Sequence, residues 1–175
     1  MKQILITVDM QNDFIDGALG SREAVAIVPA VKERLKTFDG DVYFTRDTHG
    51  KDYLQTQEGK KLPIPHCIEG THGWQITDAL LPYVQNATVI DKPTFGSVAL
   101  AQHLKAVHEK EPIASVTLVG LCTDSCVISN AMLIKATLPE VTVRVDAACC
   151  AGVTPHSHQT ALDAMRACQI EIENA

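Results

Sequence analysis

Apolar, β-branched runs punctuate the chain at Ile4–Val8, Val42–Thr45, Val116–Val119 and Val141–Val145, with weaker ones at Thr88–Ile90 and Gln169–Ile172. They are continuous rather than alternating in polarity, the pattern of strands buried on both faces, as in a parallel sheet. Between them lie helix-length segments. Glu23–Phe38 carries Val25, Val28, Val31 and Leu35 at near-helical spacing, and Val98–His108 carries Leu100, Leu104 and Val107. Cys126–Leu138 and His156–Ala167 complete the set, the last with Leu162 and Met165 one turn apart. Strands alternating with helices predict right-handed βαβ units. The expected fold is α/β: a doubly wound, mainly parallel sheet of about six strands with helices on both faces. No internal repeat or low-complexity linker interrupts the pattern, so residues 1–175 read as a single domain.

Ligands in such sheets sit at the carboxyl ends of the strands, near a switch point in strand order. Asp9, Asp47, His49, Lys92 and Cys126 all follow a predicted strand. In Gly120–Val127 a strand, a tight turn and a helix start are compressed into a few residues, with Cys126 where the helix begins. Unpaired N–H groups at a helix N-terminus favour a thiolate there; the alternative is a small hydrophobe packed under the turn. Asp9 can serve as a base whose pKa rises with burial, or cap the following turn. Asp13 is the better structural candidate of that pair. Lys92 leaves an apolar strand for the turn Pro93–Ser97, where a cation would hold Asp9 ionised and stabilise a nearby thiolate.

Asp47-Thr48-His49 and Pro65-His66-Cys67 supply a carboxylate and two imidazoles, with Glu58 between them. Such ligands suit Zn²⁺, Mn²⁺ or Fe²⁺, and the alternative is a loop with two polar histidines. The loop from Arg46 to about Trp74 is long for a compact domain, and loops of that length are usually functional. Cys67, Cys149, Cys150 and Cys168 are expected to pack in the interior. His156 and His158 are expected to be exposed near a helix that Pro155 opens.

Composition narrows the class. Apolar residues make up 46% and charged ones 21%, which excludes disorder. A net charge of -6 offers no basic footprint for nucleic acid. The first apolar run is interrupted by Asp9 and is too short to cross a bilayer, so a cytoplasmic protein without a membrane partner is expected. The 6 cysteines then read as free thiols. No G-x-G-x-x-G follows the first strand, which argues against a dinucleotide site.

Together these residues resemble the isochorismatase-like cysteine hydrolase superfamily, and most of all its nicotinamidase/pyrazinamidase branch, over nearly the whole chain. The stretches that carry the resemblance are Asp9-Met10-Gln11-Asn12-Asp13-Phe14, Arg46-Asp47-Thr48-His49, Pro65-His66-Cys67-Ile68-Glu69-Gly70-Thr71, Lys92 with its Pro-Thr-Phe-Gly-Ser tail, and Gly120 through Val127, in family order. The resemblance implies a Rossmann-like three-layer sandwich, an Asp9–Lys92–Cys126 triad, and a divalent metal at Asp47, His49 and His66. Glu58 is the candidate fourth ligand, and zinc comes before Mn²⁺ or Fe²⁺. It also implies a non-proline cis peptide at Leu121-Cys122, an oxyanion hole made by the N–H groups of Cys122 and Cys126, and a pocket including Phe14 and Gln11. A homodimer or homotetramer is implied as well.

The implied activity is hydrolysis of the C–N bond of a small carboxamide, nicotinamide first, through a Cys126 thioester, as in NAD salvage. Nicotinamidases commonly place an aromatic residue just before Pro-His-Cys. Here Leu62-Pro63-Ile64-Pro65 stands in that segment, with Trp74 and Tyr53 as possible substitutes. Two alternatives remain: the same chemistry on a carbamoyl or ureido compound, and a metal-binding or thiol redox-sensing protein without turnover. True isochorismatases act on a vinyl ether and lack the nucleophilic thiol, so Cys126 argues against that reaction.

Overall fold

The computed structural model describes all 175 residues. In chain order the elements are β1 (Lys2–Val8), α1 (Asn12–Ile15), α2 (Arg22–Thr37), β2 (Asp41–Asp47), α3 (Gln57–Lys61), α4 (Leu81–Val84), β3 (Thr88–Lys92), α5 (Val98–Lys110), β4 (Ile113–Leu121), α6 (Ile128–Thr137), β5 (Thr142–Ala151), α7 (Pro155–Ala167) and β6 (Glu171–Glu173). The strands form one sheet in the order β3-β2-β1-β4-β5-β6, every pair parallel. The chain winds outward from β1 in one direction and from β4 in the other, so these two strands flank the switch point.

Alternation within the buried strands feeds two cores. Ile4, Ile6 and Val8 of β1 join Val116 and Leu118 of β4 under α5, α6 and α7, where Leu100, Leu104, Ile134, Leu162 and Met165 meet them. Leu5, Phe44, Val119 and Leu121 face the other way, onto Ala24, Ile27, Val31 and Leu35 of α2. Each Val, Leu, Ile, Phe or Met among them, once fully buried, contributes about 1.5–3 kcal/mol of transfer free energy. The three longest helices, α2, α5 and α7, start on side-chain caps. Ser21 accepts from Ala24 N, Ser97 from Leu100 N, and Thr154 from Ser157 N in a reciprocal capping box.

The doubly wound parallel sheet is the expected one, but several local expectations need correction. β5 runs on through Cys149 and Cys150 to Ala151, because both cysteines are buried strand residues. The helix expected from Cys126 begins at Ile128; Cys126 itself sits in a π-helical turn, Thr123–Val127. Cys168 is exposed at the end of α7 rather than packed. His156 is exposed, whereas His158 is half-buried against Thr123, its Nδ1 being 2.7 Å from the Thr123 hydroxyl. The short helices α1, α3 and α4 carry too little periodicity to be read from sequence.

Gly120 lets the two central strands end together. Its φ is +116°, and a Cβ there would lie 2.1 Å from the Val8 carbonyl oxygen, so a side chain would wedge β4 away from β1. This close approach brings the turn after β4 alongside the residue after β1.

Candidate active site

The carboxyl ends of β1, β2, β3 and β4 deliver Asp9, Asp47, Lys92 and Cys126 to one place. Asp9 leaves β1 with φ +47°, a left-handed conformation that Asp tolerates better than most residues. Its Oδ1 accepts a 2.7 Å hydrogen bond from Thr45 Oγ1. Its Oδ2 lies 2.7 Å from Lys92 Nζ as an ion pair, with no aligned hydrogen-bond donor. Lys92 Nζ donates to Thr94 O at 2.9 Å and to Cys126 Sγ at 3.4 Å, and lies 3.6 Å from Asp47 Oδ1. Asp9, Lys92 and Cys126 are all buried, so residues far apart in sequence meet as one dry group.

Charge in that group is set by burial first. Burial raises the Asp9 carboxyl despite the Lys92 ammonium beside it. Burial and then the Asp9 charge push the Cys126 thiol well above its usual value, with Lys92 opposing. Burial would lower Lys92, but Asp9, Cys126 and Asp47 outweigh it and keep the ammonium charged. Burial thus disfavours the anion at both Asp9 and Cys126, and it opposes the thiolate that the helix-start position led the sequence reading to expect.

Beside this group, one ligand atom each from Asp47, His49, Glu58 and His66 lies within 4.8 Å of the others. Asp47 Oδ2 is 2.9 Å from His49 Nε2 and 3.4 Å from His66 Nε2. Glu58 Oε1, presented by α3, is 3.6 and 3.9 Å from the same two nitrogens. The Nδ1–H of His66 donates to the Ile64 carbonyl at 2.8 Å, which leaves the Nε2 lone pair facing the cluster, as a metal ligand requires. Burial would raise Asp47, yet the imidazole hydrogen bonds and Lys92 hold it well below the usual carboxylate range. Burial would lower His66, yet Asp47, the Ile64 carbonyl and Glu58 raise it. Two carboxylates and two inward-facing imidazoles call for a positive charge between them, and this donor set fits a divalent ion.

A cavity of about 260 Å³ opens onto both groups. Its walls include Phe14, Leu62 and Phe95, and its floor includes Cys122, Cys126, Asp47 and His66. A wider, open hollow of about 520 Å³ beside Ile15–Ala26 carries none of the reactive side chains. Phe14 stands at the cavity as expected, but Gln11 does not. The Gln11 carboxamide is spent inside the protein, accepting from Asp47 N and donating to Asp47 O and Trp74 O, each at 2.8 Å.

Trp74 and Tyr53 do not line the cavity either. Trp74 donates to Thr48 Oγ1 and lies under the Arg46 guanidinium. Tyr53 packs edge-on against His49 and His66 and donates to the Leu62 carbonyl. The Leu121-Cys122 peptide is cis, and the Cys122 carbonyl accepts from Ser125 N and Val127 N. Cys67 is buried, with Cys67 N donating to Asp13 Oδ2, which bears out structural roles for both. Thr45 and Phe95 were not singled out as site residues, because Thr45 acts through a bond to Asp9, 36 positions away, and Phe95 through its place on the cavity wall.

Comparison with known proteins places this geometry in context. The isochorismatase domain family matches residues 3–174. An uncharacterized isochorismatase family protein, PncA, of Bacillus subtilis is 32% identical over 145 residues, covering 75% of this chain and 78% of that protein. A nicotinamidase of Schizosaccharomyces pombe is 28% identical over 163 residues, covering 73% of this chain and 74% of its own. The crystal structure of a Pyrococcus horikoshii pyrazinamidase in complex with zinc superposes with a TM-score of 0.81 at 24% identity, covering 98% of each chain.

Proposed function

The chain belongs to the isochorismatase family, and from that premise we propose that residues 1–175 form one cysteine-dependent amidohydrolase acting on a small carboxamide, nicotinamide first. The observation that carries the reading is the buried contact of Lys92 Nζ with both Asp9 Oδ2 (2.7 Å) and Cys126 Sγ (3.4 Å) at the floor of the cavity. A thiol needs a neighbouring base when it attacks, and the Asp9 carboxylate shares the Lys92 ammonium with the sulfur. A redox sensor needs an accessible, acidic thiol. Cys126 instead sits buried at the cavity floor beside Lys92, open to a bound molecule rather than to bulk solvent.

In the reaction, Asp9 takes the Cys126 proton as sulfur bonds to the amide carbonyl carbon. The N–H groups of Cys122 and Cys126 stabilise the oxyanion, and losing such a donor typically costs about 3–4 kcal/mol. Asp9 passes the proton to the amide nitrogen, the C–N bond breaks, ammonia leaves, and a thioester remains. Asp9 then deprotonates water as it attacks the thioester; the C–S bond breaks and the thiol regains its proton. Lys92 keeps a compensating charge beside Asp9 throughout.

Asp47, His49, His66 and Glu58 would hold a divalent ion, zinc first, which when bound supplies a positive anchor for orienting the substrate, for instance at a ring nitrogen. Phe14 offers a face for a ring. Leu62-Pro63-Ile64-Pro65, the segment where nicotinamidases commonly have an aromatic residue, favours a second reading in which the substrate is a carbamoyl or ureido compound. The protein acts as a cytoplasmic homodimer or homotetramer on this reading; no helix is long and apolar enough to cross a membrane.

Ammonia release from nicotinamide, pyrazinamide and a panel of carbamoyl and ureido compounds tests the proposal. Turnover of at least one amide, abolished in Cys126→Ala with the fold intact, is the expected result. Equal activity in Cys126→Ala, or none in the parent protein on any amide, would overturn it.

A further inference from the structure

We propose that Asn130 is a positioning residue that sets the register between the loop carrying Lys92 and the turn carrying Cys126. Its side chain is fully buried, and its carboxamide is fully used. Oδ1 accepts from Ser97 N at 2.8 Å, while Nδ2 donates to Phe95 O at 3.0 Å and to Cys126 O at 2.8 Å. Two of these partners belong to the segment after β3, and the third is the backbone of the sulfur-bearing residue.

The same two segments are joined a second time by the ammonium, which donates to Thr94 O and to Cys126 Sγ. A closed circuit results: Cys126 sulfur to Lys92, Lys92 to Thr94, Thr94 through the chain to Phe95, Phe95 to Asn130, and Asn130 back to the Cys126 carbonyl. In such a ring Asn130 fixes the backbone separation from which the Lys92–sulfur contact is made. The packing agrees, since a Cβ on Gly96 would meet Leu133 Cδ1 at 2.6 Å and Ser129 Cβ at 3.4 Å. The loop is therefore pressed onto the helix that bears Asn130. An ordinary helical residue needs none of these bonds. An amide is the side chain that can accept one backbone N–H and donate to two carbonyls at once.

The kinetic part of this inference rests on the hydrolase reading, whereas its thiol part does not. The test uses Asn130→Ala and Asn130→Ser, the latter keeping a hydroxyl that can bond back to the preceding turn of its own helix but cannot span to the loop. On the protein as isolated, ammonia release gives kcat and KM. In parallel, iodoacetamide labelling at one fixed pH, read by mass spectrometry on the Cys126 peptide, reports the sulfur's environment, with exposed Cys168 as internal control.

In folded variants kcat is expected to fall roughly 10- to 100-fold with KM within about threefold. The Cys126 labelling rate should change by about fivefold or more while that of Cys168 does not. A variant that merely melts earlier, with kcat and Cys126 labelling within about twofold of the parent, would overturn the proposal. So would failure of Asn130→Ser to fold, because the amide would then serve folding and not register. If the parent turns over no amide yet Cys126 labelling still shifts in Asn130→Ser, the hydrolase reading falls and the positioning role stands.

Discussion

Asp9 and Asp47 close adjacent strands of one sheet, are almost equally hidden from water, and are both approached by Lys92. Their carboxyls are nevertheless pushed in opposite directions. Asp9 has a single hydroxyl donor and a dry, thiol-lined surrounding, so burial dominates and its proton affinity rises. Asp47 faces two imidazoles as well as the ammonium, and those contacts outweigh its desolvation. The difference teaches that burial alone does not decide what a carboxylate can do; the number of positive or donating groups around it does. On the proposed reading the first is the base and the second a ligand.

The sharpest way to break this comparison is to neutralise each carboxylate in turn. Asp9→Asn should lower kcat/KM by about 10³- to 10⁴-fold with far-UV circular dichroism unchanged and no recovery on adding metal. Asp47→Asn should instead weaken metal retention by more than the roughly 10- to 100-fold that losing a ligand's hydrogen-bond partner costs. Excess zinc should restore part of the Asp47→Asn activity. Metal content and steady-state rates, measured with and without added zinc, check both outcomes. If added zinc rescues Asp9→Asn equally, the two carboxylates do not have separate duties.

A smaller effect sharpens the Asp9 side. Thr45→Val removes the donor to Asp9 Oδ1. That hydrogen bond favours the charged form, so its loss should raise the carboxyl further. The acid limb of the kcat/KM profile should therefore move to higher pH, and stability should fall by about 1–3 kcal/mol from the unsatisfied buried acceptor. A profile that stays put or moves toward acid would mean that Asp9 does not govern that limb.

The smallest effect lies outside both carboxylates and tests whether proton sensitivity is confined to them. His158 is held below the ordinary imidazole value by burial, so the unfolded chain takes the proton first as pH falls. The stability this contributes is present above the ordinary histidine value and is lost as pH drops through the folded one. His158→Asn should thus leave Tm nearly unchanged at about pH 8 and make its decline toward about pH 5 shallower. Differential scanning calorimetry at the two pH values decides it.

Much of this arrangement was legible in the chain, for a physical reason. Strands buried on both faces write themselves as unbroken β-branched runs, and their carboxyl ends point to Asp9, Asp47, Lys92 and Cys126. The resemblance then added the partners that spacing alone left open, His66 and Glu58 among them. What escaped was of another kind. The π-helical turn at Cys126 has no periodicity of its own over so few residues. Gln11 was expected at the pocket from the resemblance, yet its amide turns inward to brace Asp47. Asn130 and Thr45 matter through bonds that cross more than 30 positions of chain, which local pattern cannot register.

β3 is the outermost strand on its side, hydrogen-bonded only to β2. Its last residue, Lys92, nevertheless reaches past β2 to the carboxylate that follows β1. The lysine thus acts as a rivet across three strands, fastening a margin that would otherwise be the easiest to peel or to lend to a neighbouring chain. Loosening of that margin would therefore also pull the ammonium away from Asp9 and from the sulfur.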